Sequence, residues 1–151
     1  MQQAIAARTP VHVWIVGLLA TLWSCFGCVD YLMTRMRNTD YLASAMPGVD
    51  TNAMLAWIDN FPLYVQVGWG LGVWLGLLGS ILLLLRNRWA VWSYGLSLAG
   101  AVVSLGYQIA LAPPLAGMDG GFNKVMPYVI IAICLALFLY ARAMAKRGVL
   151  R

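Results

Sequence analysis

The chain has 151 residues, 62% of them hydrophobic and 10% charged, with a formal net charge of +5. That length suits one domain, and so apolar a composition excludes an ordinary soluble globular fold. The positive charge is explained below by membrane orientation and gives no reason to invoke nucleic acid.

A hydrocarbon core takes about 20 helical residues, and four apolar runs reach that length, at about 11–36, 62–85, 89–111 and 125–145. The expected fold class is therefore all-α: a four-transmembrane-helix bundle with a short outer amphipathic helix, forming a single membrane domain over 1–151. The first run starts after Pro10, a residue suited to a helix's first turn. Its length exceeds the roughly 7–15 apolar residues of a secretion signal, and Arg35 and Arg37 separate it from the small-residue Ala43-Ser44-Ala45. Within it Gly17, Thr21, Ser24, Cys28 and Tyr31 recur at steps of four and three, the spacing of a helix contact surface.

Polar chemistry gathers between Cys28 and Leu42. Read as one continuous helix, this stretch sets Asp30, Thr34, Arg37 and Tyr41 near one face. A carboxylate at the edge of the hydrocarbon is costly unless paired, so Asp30 is expected beside Arg35, Arg37, Tyr31 or Tyr107. Such a group either binds a cation, a proton or a polar solute, or anchors the helix at the interface.

The loop 38–61 contains the turn signal Pro47-Gly48, after which Asp50 or Thr51 is placed to cap a short helix over about 51–59. Met54, Leu55, Trp57 and Ile58 gather on one side of that helix, which is expected on the outer membrane surface. Asn60-Phe61-Pro62 ends it and opens the second span.

Gly68, Gly72, Gly76 and Ser80 recur at every fourth position of the second span, a GxxxG pattern that admits another backbone closely, either within the chain or from a second copy. Arg86-Asn87-Arg88 is a tight connection to the third span, where Ser93, Ser97, Gly100, Ser104 and Gln108 share a face that can meet those glycines. Tyr107 and Gln108 fall roughly level with Asp30, completing a candidate binding mouth of Asp30, Tyr31, Thr34, Arg37, Tyr41, Tyr107 and Gln108. Pro113-Pro114 stops the third helix, and the fourth span, apolar apart from Cys134 and its terminal tyrosines, reads as a lipid-facing member.

Charge sets the expected orientation. Arg8, Arg86, Arg88, Arg142, Lys146, Arg147 and Arg151 fall on one side without an acid, and all five aspartates fall on the other with Arg35, Arg37 and Lys124. By the positive-inside rule both termini are expected to be cytoplasmic.

Reaction chemistry finds little footing. Cys25 and Cys28 form a C-x-x-C, but inside an apolar helix such thiols are held protonated, and Cys134 gives no second pair. His12 is the only histidine and the chain has no glutamate, so no metal, no cofactor and no enzyme activity is expected. The expected partners are the lipid bilayer and either a second copy or another membrane protein.

Val29-Asp30-Tyr31 through Arg37-Asn38, Phe61-Pro62, Gly72-Val-Trp-Leu-Gly, Leu85-Arg86-Asn87-Arg88-Trp89 and Tyr140 through Arg151 together resemble a family of uncharacterised four-span bacterial membrane proteins, some labelled sugar transporters. The resemblance implies a transporter-like protein of a bacterial inner membrane. Two functions are weighed: a carrier or permeation unit for a small polar solute, and a non-catalytic accessory or scaffold subunit.

Overall fold

The structure is a computed structural model that describes residues 10–151. Arg8, one of the cations in the charge argument, lies outside the described residues. The described residues form six helices in the order α1 (Val11–Arg35), α2 (Thr39–Ala45), α3 (Thr51–Asp59), α4 (Leu63–Leu84), α5 (Trp89–Ala110) and α6 (Gly121–Lys146), with no strand among them. Four of these, α1, α4, α5 and α6, are long and apolar enough to cross a membrane. At 1.5 Å per residue the 22 residues of α4 extend ~33 Å, enough for a hydrocarbon core of ~30 Å. The fourth of them starts at Gly121, upstream of the expected 125, and carries Pro127 in its second turn.

α1 does not continue through Tyr41. It ends at Arg35, where Arg37 takes a left-handed conformation (φ 56°) and the N–H groups of Arg37 and Asn38 donate back to the carbonyls of Thr34 and Met33. That double closure is a Schellman stop made without glycine. Asn38 then caps a new helix, its side chain accepting from the Tyr41 N–H, and so a short α2 precedes α3. Asp50 caps α3 through the Ala53 N–H.

The long helices pack in a row, α1 on α4, α4 on α5 and α5 on α6. The tightest seam is α4 on α5, and small residues make it. A methyl on Gly100 would lie 2.5 Å from the Gly68 carbonyl oxygen and 2.8 Å from the Gly72 nitrogen, so the two backbones are in direct contact. Serines of α5 bridge the seam, Ser93 donating to the Leu75 carbonyl at 2.7 Å and Ser97 to that of Gly72 at 2.5 Å.

α1 and α6, the two ends of the row, do not pack along their length. They meet where α1 begins and α6 ends: His12 Nδ1 and the Tyr140 hydroxyl are 2.6 Å apart, and Val13, Leu83, Ala90, Tyr94, Ala141, Met144, Val149 and Leu150 form a buried core there. Arg151 closes this end by exchanging backbone hydrogen bonds with Arg86 and Arg88. At the opposite end α2 and α3 sit over a second small core of Leu42, Val49, Met54 and Leu55. Joined at the first end and parted towards the second, α1 and α6 leave a cleft between them.

Candidate functional site

The cleft has a volume of about 460 Å³. α4 and α5 form its floor, α1 and α6 its flanks, and residues of α2 and α3 cover its mouth. On α5 it reaches from Gln108 to Tyr94, fourteen residues and ~21 Å along the helix. Most of the lining is apolar, with eight aromatic side chains. Among the described residues Asp30 is the single Asp, Lys, Arg or His that lines it.

At the deep end a hydroxyl network ties three helices together. Ser80 donates to the Gly76 carbonyl at 2.9 Å, and the Tyr94 hydroxyl donates to Ser80 Oγ at 2.9 Å. Ser24 Oγ is 3.3 Å from Ser80 Oγ, and because the one Ser80 proton is already used, Ser24 is the donor. Ser97 spends its own proton on Gly72. These hydroxyls therefore join α1, α4 and α5 and offer few free donors to a solute.

At the mouth Asp30 is half-buried, and its partner is not an arginine. The Tyr41 hydroxyl donates to Asp30 Oδ1 at 3.4 Å, long for an O–H···O bond. The Tyr41 phenol is pushed up from its ordinary value, first by burial, then by the charge of Asp30 and by the hydrogen bond donated to it. Arg37, expected beside Asp30, pairs instead with Asp59 (Nη2 to Oδ2, 2.6 Å), because the left-handed turn at its own backbone sends the side chain towards the end of α3. Arg35 donates to Gln66 Oε1 at 2.9 Å and lies 5.3 Å from the ring centres of both Tyr31 and Trp69. Neither arginine lines the cleft. A carboxylate with four lone-pair sites is thus left with one long hydrogen bond and no ion-pair partner among the described residues.

Of the seven residues expected at the mouth, Asp30, Thr34, Tyr41 and Gln108 line the cleft. Thr34 is occupied, donating to the Asp30 backbone carbonyl at 2.8 Å. Tyr31 faces α4, edge-on to Trp69 and Trp74 and against Gly70. Tyr107 packs against Phe61 and Tyr64, and so stands outside the cleft with Tyr31 and Arg37. Sequence reasoning missed the aromatic surround. Trp57 and Phe61, from α3 and the residues after it, stack edge-to-face at 4.6 Å, and the Trp57 indole donates to the Pro113 carbonyl at 2.8 Å, which holds both rings over the mouth. Trp69 of α4 and Phe122 of α6 complete it. No sequence signal announces this grouping, because its members come from three different segments. Comparison with protein-family models, with curated proteins and with solved structures gives no match for this chain.

Proposed function

We propose that this is a multi-pass protein of a bacterial inner membrane, its four long helices bundled with both termini cytoplasmic, and that it works as a carrier or permeation unit for a small solute taken into the cleft between α1 and α6. The observation that carries this reading is the cleft itself: 460 Å³, mostly apolar, with one incompletely satisfied carboxylate at its mouth. Ligand sites commonly measure about 300–1,000 Å³ and combine apolar walls with a few convergent polar groups. A charged residue inside a membrane span is costly, and those that occur commonly mark solute or ion sites. The cations on the side of the termini support the orientation, which makes the α2–α3 end the outer one. The resemblance to four-span proteins labelled sugar transporters agrees with a carrier. A sugar itself fits less well, because two of the three serines that line the cleft, Ser24 and Ser97, are already committed to neighbouring groups.

The test is flux into liposomes holding wild type or Asp30→Asn. Solute or solute-coupled proton flux is expected from wild type and is expected to be lost in the variant at unchanged thermal stability. Equal flux from both would remove Asp30 from the mechanism, and none from either would remove the carrier reading.

A second reading, an accessory subunit that receives a partner's helix in the cleft, is favoured by Phe26 and Phe122, which stand 74% and 73% exposed on its two flanks. A stoichiometric membrane partner recovered after mild solubilisation, with the cleft protected from labelling, would support it.

A further inference from the structure

We infer that the cleft takes an amphiphilic organic cation, with the positive centre held at Asp30 inside the aromatic surround and the apolar body lying along the floor towards Tyr94. The inference rests on the cleft being a solute site and names the class of solute.

Charge complementarity is the first ground. Among the described residues Asp30 is the one carboxylate lining the cleft and no cation lines it; Arg37 pairs with Asp59, while Arg35 is held at the rim by Gln66 and the Trp69 ring. An ionised, half-buried carboxylate at the edge of the hydrocarbon favours a counter-charge. An anionic solute would meet like charge, and a neutral one would leave the carboxylate unpaired.

The second ground is the surround. Asp30 lies in the last turns of α1, Phe122 at the start of α6, and Trp57 and Phe61 come from the end of α3 and the residues just after it, so these rings and the carboxylate share one end of the cleft, where Trp69 of α4 already faces Arg35. Aromatic faces attract a weakly hydrated cation, and more strongly once water is excluded. A strongly hydrated ion such as Na⁺ would need several oxygen ligands, and Asp30 with the Tyr41 hydroxyl supplies too few. The third ground is the floor: ~21 Å of mostly apolar wall beyond the mouth suits an extended hydrophobic body.

Binding of tetraphenylphosphonium to the full chain in detergent tests this, with tetraphenylborate as the anion of the same shape and triphenylphosphine oxide as a neutral relative. Three variants accompany wild type: Asp30→Asn, Asp30→Glu and Gly27→Leu. Gly27 lines the cleft one turn before Asp30 and has open space where a β-carbon would stand, so a leucine side chain there is expected to extend into the cleft. Wild type is expected to bind the cation saturably, with affinity falling roughly ten-fold or more in Asp30→Asn and staying within about three-fold in Asp30→Glu. Gly27→Leu is expected to weaken binding as much as Asp30→Asn, and the borate and the oxide to compete poorly. Equal binding by Asp30→Asn, or equal competition by the neutral oxide, overturns the cation assignment. If Gly27→Leu still blocks binding in that case, the cleft remains a solute site and the carrier reading stands. No binding of any probe, or binding indifferent to Gly27→Leu, overturns both.

Discussion

Gly100 and Gly27 both sit inside long helices, where glycine weakens the helix, and they differ in what surrounds them. At Gly100 an added methyl would meet the backbone of α4 at 2.5 Å and 2.8 Å, and backbone cannot turn aside as a flexible side chain does. Gly100→Ala is expected to push α4 and α5 apart at a cost of about 1–3 kcal/mol. Gly27 has nothing within 4 Å of that position, so Gly27→Ala is expected to gain ~0.5–1 kcal/mol from helix propensity. Thermal unfolding of the two variants in one detergent checks the opposite signs. Tyr41 offers a second measurement at this scale. Its pKa is raised by burial and by two contributions from Asp30. The raised value means that its contribution to stability is complete below the unfolded pKa of about 10 and is lost as pH rises through the folded one. The tyrosinate absorbance missing from Tyr41→Phe is therefore expected to appear above the ordinary range in wild type. In an Asp30→Asn background it is expected at lower pH; an unmoved midpoint would mean that Asp30 does not act on Tyr41.

Between elements, the joints are made by hydroxyls and short turns as well as by apolar packing. Ser80 is the hub of α1, α4 and α5, and its removal differs from that of its neighbour. Tyr94→Phe deletes one donor and leaves Ser80 bonded to Gly76, so a loss of about 0.5–1.5 kcal/mol is expected. Ser80→Ala strands the buried Tyr94 hydroxyl and is expected to cost more, about 1–3 kcal/mol. Ranking the two by resistance to denaturing detergent decides whether the network bears on stability. The same scale shows what sequence reveals. Hydropathy and length mark the long helices, and Asp50 marks the start of α3, because those signals are local. The stop after Arg35 has no local signal, since arginine occupies the left-handed position that glycine or asparagine usually announces. With that stop unseen, helical spacing gives Tyr41 the right neighbour, Asp30, on the wrong helix, and gives Arg37 to Asp30 in place of Asp59, twenty-two residues away. The apolar composition of α6 reads as lipid-facing, and α6 is indeed the least buried of the four long helices, but Met126, Ile130 and Cys134 on it line the cleft; apolar side chains look the same in sequence whichever of the two they face.

At the scale of the whole molecule, every functional argument depends on which side of the membrane the cleft opens to. The α2–α3 end carries Asp40, Asp50, Asp59 and Asp119 against Arg35, Arg37 and Lys124, while the other end carries Arg86, Arg88, Arg142, Lys146, Arg147 and Arg151. Translocating the second set would move six cations across the bilayer, and short basic segments resist that. Replacing Cys25, Cys28 and Cys134 by serine leaves a chain in which a single cysteine reports its own side. Ser44→Cys in α2 and Asn87→Cys in the α4–α5 turn are exposed or half-exposed positions that leave the charge count unchanged. In intact spheroplasts a membrane-impermeant maleimide is expected to label position 44 and to reach position 87 only after permeabilisation. The reverse pattern would place the cleft mouth in the cytoplasm, and solute would then enter from within, reversing the direction in which a gradient-driven flux through Asp30 should be sought. Labelling of both positions from one side would instead mean mixed orientation, against the expectation from the charge distribution.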